Sequence, residues 1–177
     1  ELRVYVRIST DKDQSQIRNL LNNCFGSIDC QGAYENIQGR YLLAFKGETL
    51  VAITGLSYNE EYKGFEVDWT CTHPGYRNHG IMSALIKRVC CITDERIYHS
   101  TWRIQGNEKS GMHKILLNNG FKEVVRNRAK YNSKYNCYKE HCPAKYSVDS
   151  VSDVCECYED LWVRESKEQE NERVNGV

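Results

Sequence analysis

The sequence predicts an α/β fold: a mixed, largely antiparallel sheet flanked by helices, followed by a short Cys-rich extension. Three observations predict it. Segments in which apolar and polar residues alternate are interleaved with segments that repeat every three to four residues, the periods of strand and helix. Pro, Gly and Asn punctuate them at short intervals. Four cysteines crowd together after position 136, where the alternation stops. The chain of 177 residues accommodates one domain with a small appendage and is long enough to bury a substantial core.

Leu2 to Ile8 alternates apolar with polar residues, as a half-buried strand does. Ser9, Thr10 and Asp11 supply N-cap chemistry for a helix to about Cys24, with Ile17, Leu20, Leu21 and Cys24 on one face. A short second helix is expected between Gly26 and Gly39. Arg40–Lys46 and Thr49–Ser57 flank Gly47-Glu48, a hairpin signal. After a polar loop from Asn59 to Gly64, the strand Phe65–Thr72 is expected to place Phe65, Val67, Trp69 and Cys71 on one side and Glu66, Asp68, Thr70 and Thr72 on the other, until Pro74-Gly75 breaks it. A helix over Ile81–Cys91 follows, with Ile81, Leu85 and Val89 aligned. Next come a strand, Arg96–Ile104, and a helix, Asn107–Asn119, with Met112, Ile115 and Leu116 inward and Gly120 as its left-handed terminator. Phe121–Arg126 begins another strand, and one more is expected around Ala129–Tyr135.

Composition narrows the function. The formal net charge is zero, whereas a dedicated nucleic-acid binder carries a basic excess to neutralise phosphate. No segment approaches the roughly 18 apolar residues of a membrane span, and no basic-then-apolar leader opens the chain. The expectation is a cytoplasmic protein that acts on neither nucleic acid nor membrane.

The most informative stretch is Thr70-Cys71-Thr72-His73-Pro74-Gly75-Tyr76-Arg77-Asn78-His79-Gly80-Ile81-Met82-Ser83. A strand stops at Pro-Gly and a short loop feeds a helix with glycine at its start. The first N–H groups of a helix have no internal partner and carry the positive end of its dipole, and glycine lets an anion approach them. Arg77 and His79 add charge-assisted contacts. An N-cap without a ligand is the competing reading of this pattern alone.

Pro74 to Met82 resembles the acyl-CoA-binding motif of the GCN5-related N-acetyltransferase (GNAT) family: Gln or Arg, two residues, Gly, one residue, then Gly or Ala. Arg77 and Gly80 match, and Met82 stands in the last position. Asn107-Glu108-Lys109 through Asn118-Asn119-Gly120-Phe121 resembles the family's second motif, a helix that ends in Gly-Phe. The resemblance runs from Leu2 to about Tyr135 and implies a GNAT-type sheet. It also implies acetyl-CoA as cosubstrate, with direct transfer of its acetyl group to an amine of a small molecule or protein. The main chain of Thr70, Cys71 and Thr72 would pair with the pantetheine arm, and Arg77, Asn78, His79, Gly80, Ile81, Met82 and Ser83 would cradle the pyrophosphate. A homodimer is compatible with the family.

Amine acetylation needs a group to take the amine proton. Glu66 and Asp68 share a strand face just before the loop, and their repulsion is expected to raise at least one pKa. Glu66 also falls where the histone-acetylating branch of the family carries its base, so Glu66 is the first candidate and Asp68 the second; two carboxylates on a solvated face are the alternative. The tyrosine that many members place four residues before the Gly-Phe glycine is Leu116 here. Ser110, His113 and Tyr98 are its chemical substitutes, and a non-catalytic acyl-CoA-binding module is the alternative function. By family analogy the acceptor faces 26–39 and the loops near Asn59 and Tyr131, where Tyr34, Glu35 and Tyr58 offer contacts.

Nine cysteines remain to be placed. Cys24, Cys30, Cys71, Cys90 and Cys91 lie in apolar stretches, and most of them read as small buried hydrophobes. Cys137, Cys142, Cys155 and Cys157 form two close pairs suited to a structural, tetrahedral Zn2+, with His141 as an alternate ligand. Disulfides or separate thiols are the alternatives, and a reducing cytosol disfavours disulfides. The expected organisation is thus 1–135 transferase domain, 136–165 Cys-rich, zinc-binding extension carrying a docking strand or helix at Asp160–Arg164, and 166–177 flexible tail.

Overall fold

The computed structural model describes residues 3–25, 30–103, 108–130 and 157–167, with only the backbone for 127–130. Its elements are β1 (Tyr5–Ile8), α1 (Gln14–Phe25), β2 (Tyr41–Lys46), β3 (Thr49–Asn59), β4 (Gly64–Thr72), α2 (Ile81–Val89), β5 (Ile97–Arg103), α3 (His113–Asn118), β6 (Lys122–Lys130) and β7 (Tyr158–Arg164). Single 3₁₀ turns precede α1, at Asp11–Asp13, and follow it, at Gln31–Tyr34, the latter where the second helix was expected. Among the described residues the seven strands form one sheet in the order β1-β2-β3-β4-β5-β7-β6. Every neighbouring pair is antiparallel except β4 and β5.

Burial on both faces explains the composition of the central strands. In β2, Tyr41, Leu43 and Phe45 pack with Ile17, Leu20 and Leu21 of α1, whereas Leu42 and Ala44 pack with Leu85, Ile86 and Val89 of α2. A strand covered on both sides reads as a continuous apolar run rather than an alternation. α1 covers one face and α2 and α3 the other, so the mixed sheet with helices on both faces is present.

Four local expectations change. In β4, Ile53 pairs with Cys71 but Gly55 with Asp68, so Trp69 and Thr70 together face Thr54. Trp69 takes the extra place at φ 47°, a bulge that breaks the alternation. Phe65 and Val67 therefore belong to the α2 side, whereas Trp69 and Cys71 belong to the α1 side. The strand expected at Ala129 is the end of β6, which runs unbroken to Lys130. α3 begins at His113 rather than Asn107, although Gly120, at φ 81°, ends it as expected. Of the five scattered cysteines only Cys30 and Cys71 are buried; Cys24 and Cys90 are half-buried and Cys91 is exposed.

Residues 158–164, within the expected extension, supply a strand to the sheet. β7 lies between β5 and β6, pairing with β5 from Ile97↔Arg164 to Arg103↔Tyr158. An ion pair between Arg103 and Asp160 at 2.8 Å, both largely buried, joins the two strands. Trp162 is 1 % exposed in the α2-side core. Its indole N–H donates to Thr101 Oγ1 at 2.9 Å, and its ring meets His113 edge-on at 5.0 Å. Trp162→Ala removes this packing and is expected to cost about 3–5 kcal/mol, read as a lowered midpoint in urea unfolding.

Candidate active site

β4 and β5 pair for only three residues: Phe65↔Ile97, Glu66↔Tyr98 and Val67↔His99. Beyond Val67 and His99 the strands separate, and a cleft of about 850 Å³ opens between them. The β4 wall comprises Glu66, Asp68, Thr70, Cys71 and Thr72; the far end comprises Arg77, Asn78, Gly80, Ile81, Met82 and Ser83. One cleft thus collects the carboxylates and all but one of the residues expected to hold the coenzyme. The exception, His79, is exposed and not part of the wall.

The loop is shaped by local chemistry. His73 Nδ1 accepts from Gly75 N at 3.2 Å, and Pro74–Tyr76 forms a single 3₁₀ turn. Asn78 (φ 64°) and Gly80 (φ 76°) are left-handed, a conformation that glycine adopts freely and Asn tolerates. Gly80 caps α2, and its carbonyl accepts from Ala84 N at 3.1 Å, the first internal bond of the helix. The N–H groups of Ile81, Met82 and Ser83 precede that bond. The arrangement suits an anion. Met82, where the family pattern has a small residue, is buried in the α2-side core. Arg77 Nε donates to the Thr72 carbonyl at 3.2 Å, folding the guanidinium back over the end of β4.

The carboxylates lie on the α1 face. Glu66 Oε2 accepts from Asn59 Nδ2 at 2.8 Å. Asp68 Oδ2 accepts from Arg40 at 2.7 Å and from Ser57 Oγ at 3.4 Å. Its Oδ1 is buried over Gly55, where a Cβ would collide with it, and has no hydrogen-bond partner among the described residues. Burial lifts the Asp68 carboxyl above the ordinary aspartate range, against the pull of Arg40. The expected lift is therefore present, but desolvation causes it rather than repulsion by Glu66.

Leu116, at the position of the family's usual tyrosine, is fully buried in the α2-side core. Of its three substitutes only Ser110 borders the cleft, with a buried Oγ that has no partner among the described residues. His113 meets the Trp162 ring edge-on, and the Tyr98 hydroxyl donates to the Tyr62 carbonyl at 3.2 Å. Tyr34, Glu35 and Tyr58 are not cleft residues; Arg18 lies over the Tyr34 ring at 4.3 Å. Residues 26–29 and Tyr131 fall outside the described residues.

Sequence reading missed His99, Cys24 and Arg40. His99 lines the cleft and is 4 % exposed; its place beside Val67 depends on strand register, which the periodicity of β5 alone does not give. Cys24, at the end of α1, also lines the cleft. The Cys71 thiol hydrogen-bonds to it, and this, with the nearby Arg77 charge, lowers its pKa against the effect of burial. Of the expected zinc ligands only Cys157, which is buried, is described; Cys137, Cys142, Cys155 and the alternate His141 fall outside. Among the described residues no three His, Cys, Asp or Glu side chains gather as a metal site. Nor is any helix there long and apolar enough to cross a membrane.

The sequence profile of the acetyltransferase (GNAT) family matches residues 15–110, more than half of the chain. The chain belongs to the GNAT family. Solved GNAT structures share its fold. An acetyltransferase of the family from Bacillus cereus superposes with a TM-score of 0.63 at 15 % identity, over 93 % of this chain and 98 % of the other. The diaminobutyrate acetyltransferase of Paenibacillus lautus, in complex with L-2,4-diaminobutyric acid and coenzyme A, gives 0.62 at 14 % identity over 92 % and 95 %. The ribosomal-protein-S18-alanine N-acetyltransferase of Escherichia coli gives 0.60 at 11 % identity, over 91 % of each chain. A search of curated protein sequences returned no match.

In this GNAT chain, burial lowers the pKa of His99 from 6.5 to about 4. Between those values the unfolded chain binds the proton and the folded one does not, so stability falls as pH drops from about 6.5 to about 4. Urea unfolding from pH 7 to pH 4.5 is expected to show a shallower decline for His99→Asn than for the unsubstituted protein.

Proposed function

We propose that this GNAT protein transfers the acetyl group of acetyl-CoA directly to an amine, on a small molecule or on a protein. The observation that carries the reading is the opening of the α2 N-terminus, with its three amides ahead of the first internal bond, into the same cleft as the separated edge of β4 and the two carboxylates. These residues fit the coenzyme. The amides of Ile81, Met82 and Ser83, with Asn78, Gly80 and Arg77, would hold its diphosphate. The main chain of Thr70–Thr72, paired to β3 along one edge only, would hold the amide-bearing arm.

The coenzyme supplies an activated thioester when bound. This chain contributes position and proton transfer. Glu66, on the α1 face, is the proposed acceptor of the proton that an ammonium group loses before attack, directly or through a water. Asp68 is the second candidate, and its ion pair with Arg40 also suits it to holding that wall in place. Buried Leu116, where a proton donor is usual, favours a second reading, a module that binds acyl-CoA without turning it over.

Coenzyme A added at 100 times its dissociation constant is expected to stabilise the native protein by about 2.7 kcal/mol, read as a raised thermal midpoint. No shift at millimolar coenzyme would remove the donor site. Release of free CoA in the presence of polyamines, amino acids, aminoglycosides or peptide N-termini separates enzyme from binding module. Once an acceptor is found, Glu66→Gln is expected to lower turnover by about 100-fold or more with coenzyme affinity unchanged. Retained turnover would shift the role to Asp68, for which Asp68→Asn is the matching test.

A further inference from the structure

His99 occupies the last paired position between β4 and β5, at the apex of the cleft. In a parallel pair, residues in register project to the same side, so His99 shares a side with Val67 and Ile97 of the α2-side core. That is opposite the face of Glu66 and Asp68. The imidazole Nδ1 lies 2.9 Å from the Ser100 carbonyl oxygen. A carbonyl only accepts, so Nδ1 carries the hydrogen and Nε2 of the neutral ring holds a bare lone pair. That Nε2 is buried and has no hydrogen-bond partner among the described residues. A buried acceptor left open is costly unless something else fills it.

We propose that His99 Nε2 takes the second proton of the attacking nitrogen and delivers it to the departing sulfur. The proposal rests on the acetyl-CoA reading above and deepens it by assigning the proton path that Leu116 leaves open. The coenzyme's diphosphate, held at the start of α2, fixes the direction of its arm along β4. From Thr72 back to Val67 the strand covers about 16 Å, which brings the thiol end of an extended arm to the apex beside His99.

The atoms balance. A neutral amine attacks the thioester carbon, and a C–N bond forms. The resulting nitrogen carries a proton that it must lose, and Nε2 accepts it, giving the imidazolium. The C–S bond then breaks with its electron pair on sulfur, and the Nε2 proton passes to that sulfur, leaving amide, thiol and neutral His99. The earlier proton, lost by the ammonium group before attack, goes separately to the carboxylate face. Burial keeps the unloaded ring neutral, and the negative charge that the thioester oxygen carries once the C–N bond has formed raises its basicity while the nitrogen still holds the proton. Ser110 Oγ, on the same cleft, is a weaker acid than a thiol and is not itself a net proton source.

The test uses the whole protein with 15N-labelled histidine. Long-range 1H–15N spectra, with His99 assigned through its backbone, are expected to show the Nδ1–H form with a bare Nε2. Coenzyme A is expected to move the Nε2 resonance toward the hydrogen-bonded position. Desulfo-coenzyme A, which lacks the thiol, is expected to bind with a comparable thermal shift and leave Nε2 in place. Binding of coenzyme A with a silent Nε2 overturns the proposal alone, as does an equal response to both ligands. Failure of either ligand to bind overturns the donor reading and the proposal with it. With an identified acceptor, His99→Gln is expected to lower kcat by about 100-fold or more with the dissociation constant for coenzyme A within a factor of about three. A changed affinity with unchanged kcat would reduce His99 to a packing residue.

Discussion

The site depends on how soon β4 and β5 part. Two parallel strands normally continue side by side, because each unmade ladder bond leaves buried polar groups to be satisfied otherwise. Here the pairing ends at Val67 and His99, and the bulge at Trp69 lies just beyond, turning β4 while it stays bonded to β3. β5 meanwhile pairs along all seven residues with β7. Each strand is thus held by its outer neighbour, and the space between them persists without collapsing the sheet. The backbone groups lining it are the natural partners of an extended, amide-bearing ligand.

Two cores hold that geometry. On one face α1 packs on β2, β3 and the end of β4; on the other α2 and α3 pack on the same strands and on Ile97, Phe121 and Trp162. The bulge decides which core each β4 residue joins, so it also divides the chemistry of the cleft. Glu66 and Asp68 stand toward α1, where Arg40 and Asn59 reach them, whereas His99 stands toward α2 and α3. A ligand lying between the strands is flanked by acidic oxygen on one side and an imidazole nitrogen on the other.

Much of this was legible in the residues. Hydrophobic period placed β1, β4, α1 and α2, and the turn signal at Gly47-Glu48 placed β2 and β3, within a few positions. The loop from Thr70 to Ser83 could be read because Pro, Gly and the helix start impose local geometry. Less local features could not be read. The bulge at Trp69 leaves no compositional mark, and without it the strand alternates convincingly but puts Trp69 and Cys71 on the wrong side. His99 comes to the cleft, and Arg40 to Asp68, only through register and neighbouring strands. β7 looked like an appendage because about thirty residues separate it from β6 in sequence, whereas pairing puts it inside the sheet.

That insertion constrains how the molecule is assembled. During synthesis, β5 emerges some sixty residues before the segment that will cover its outer edge. Until then it presents a row of open amides and carbonyls, a template for pairing with other chains. β7 is therefore a keystone: the arch of the cleft is completed only when Tyr158–Arg164 slides into place. A nascent chain stalled before that point lacks one wall's support while already carrying every residue of the loop from Thr70 to Ser83.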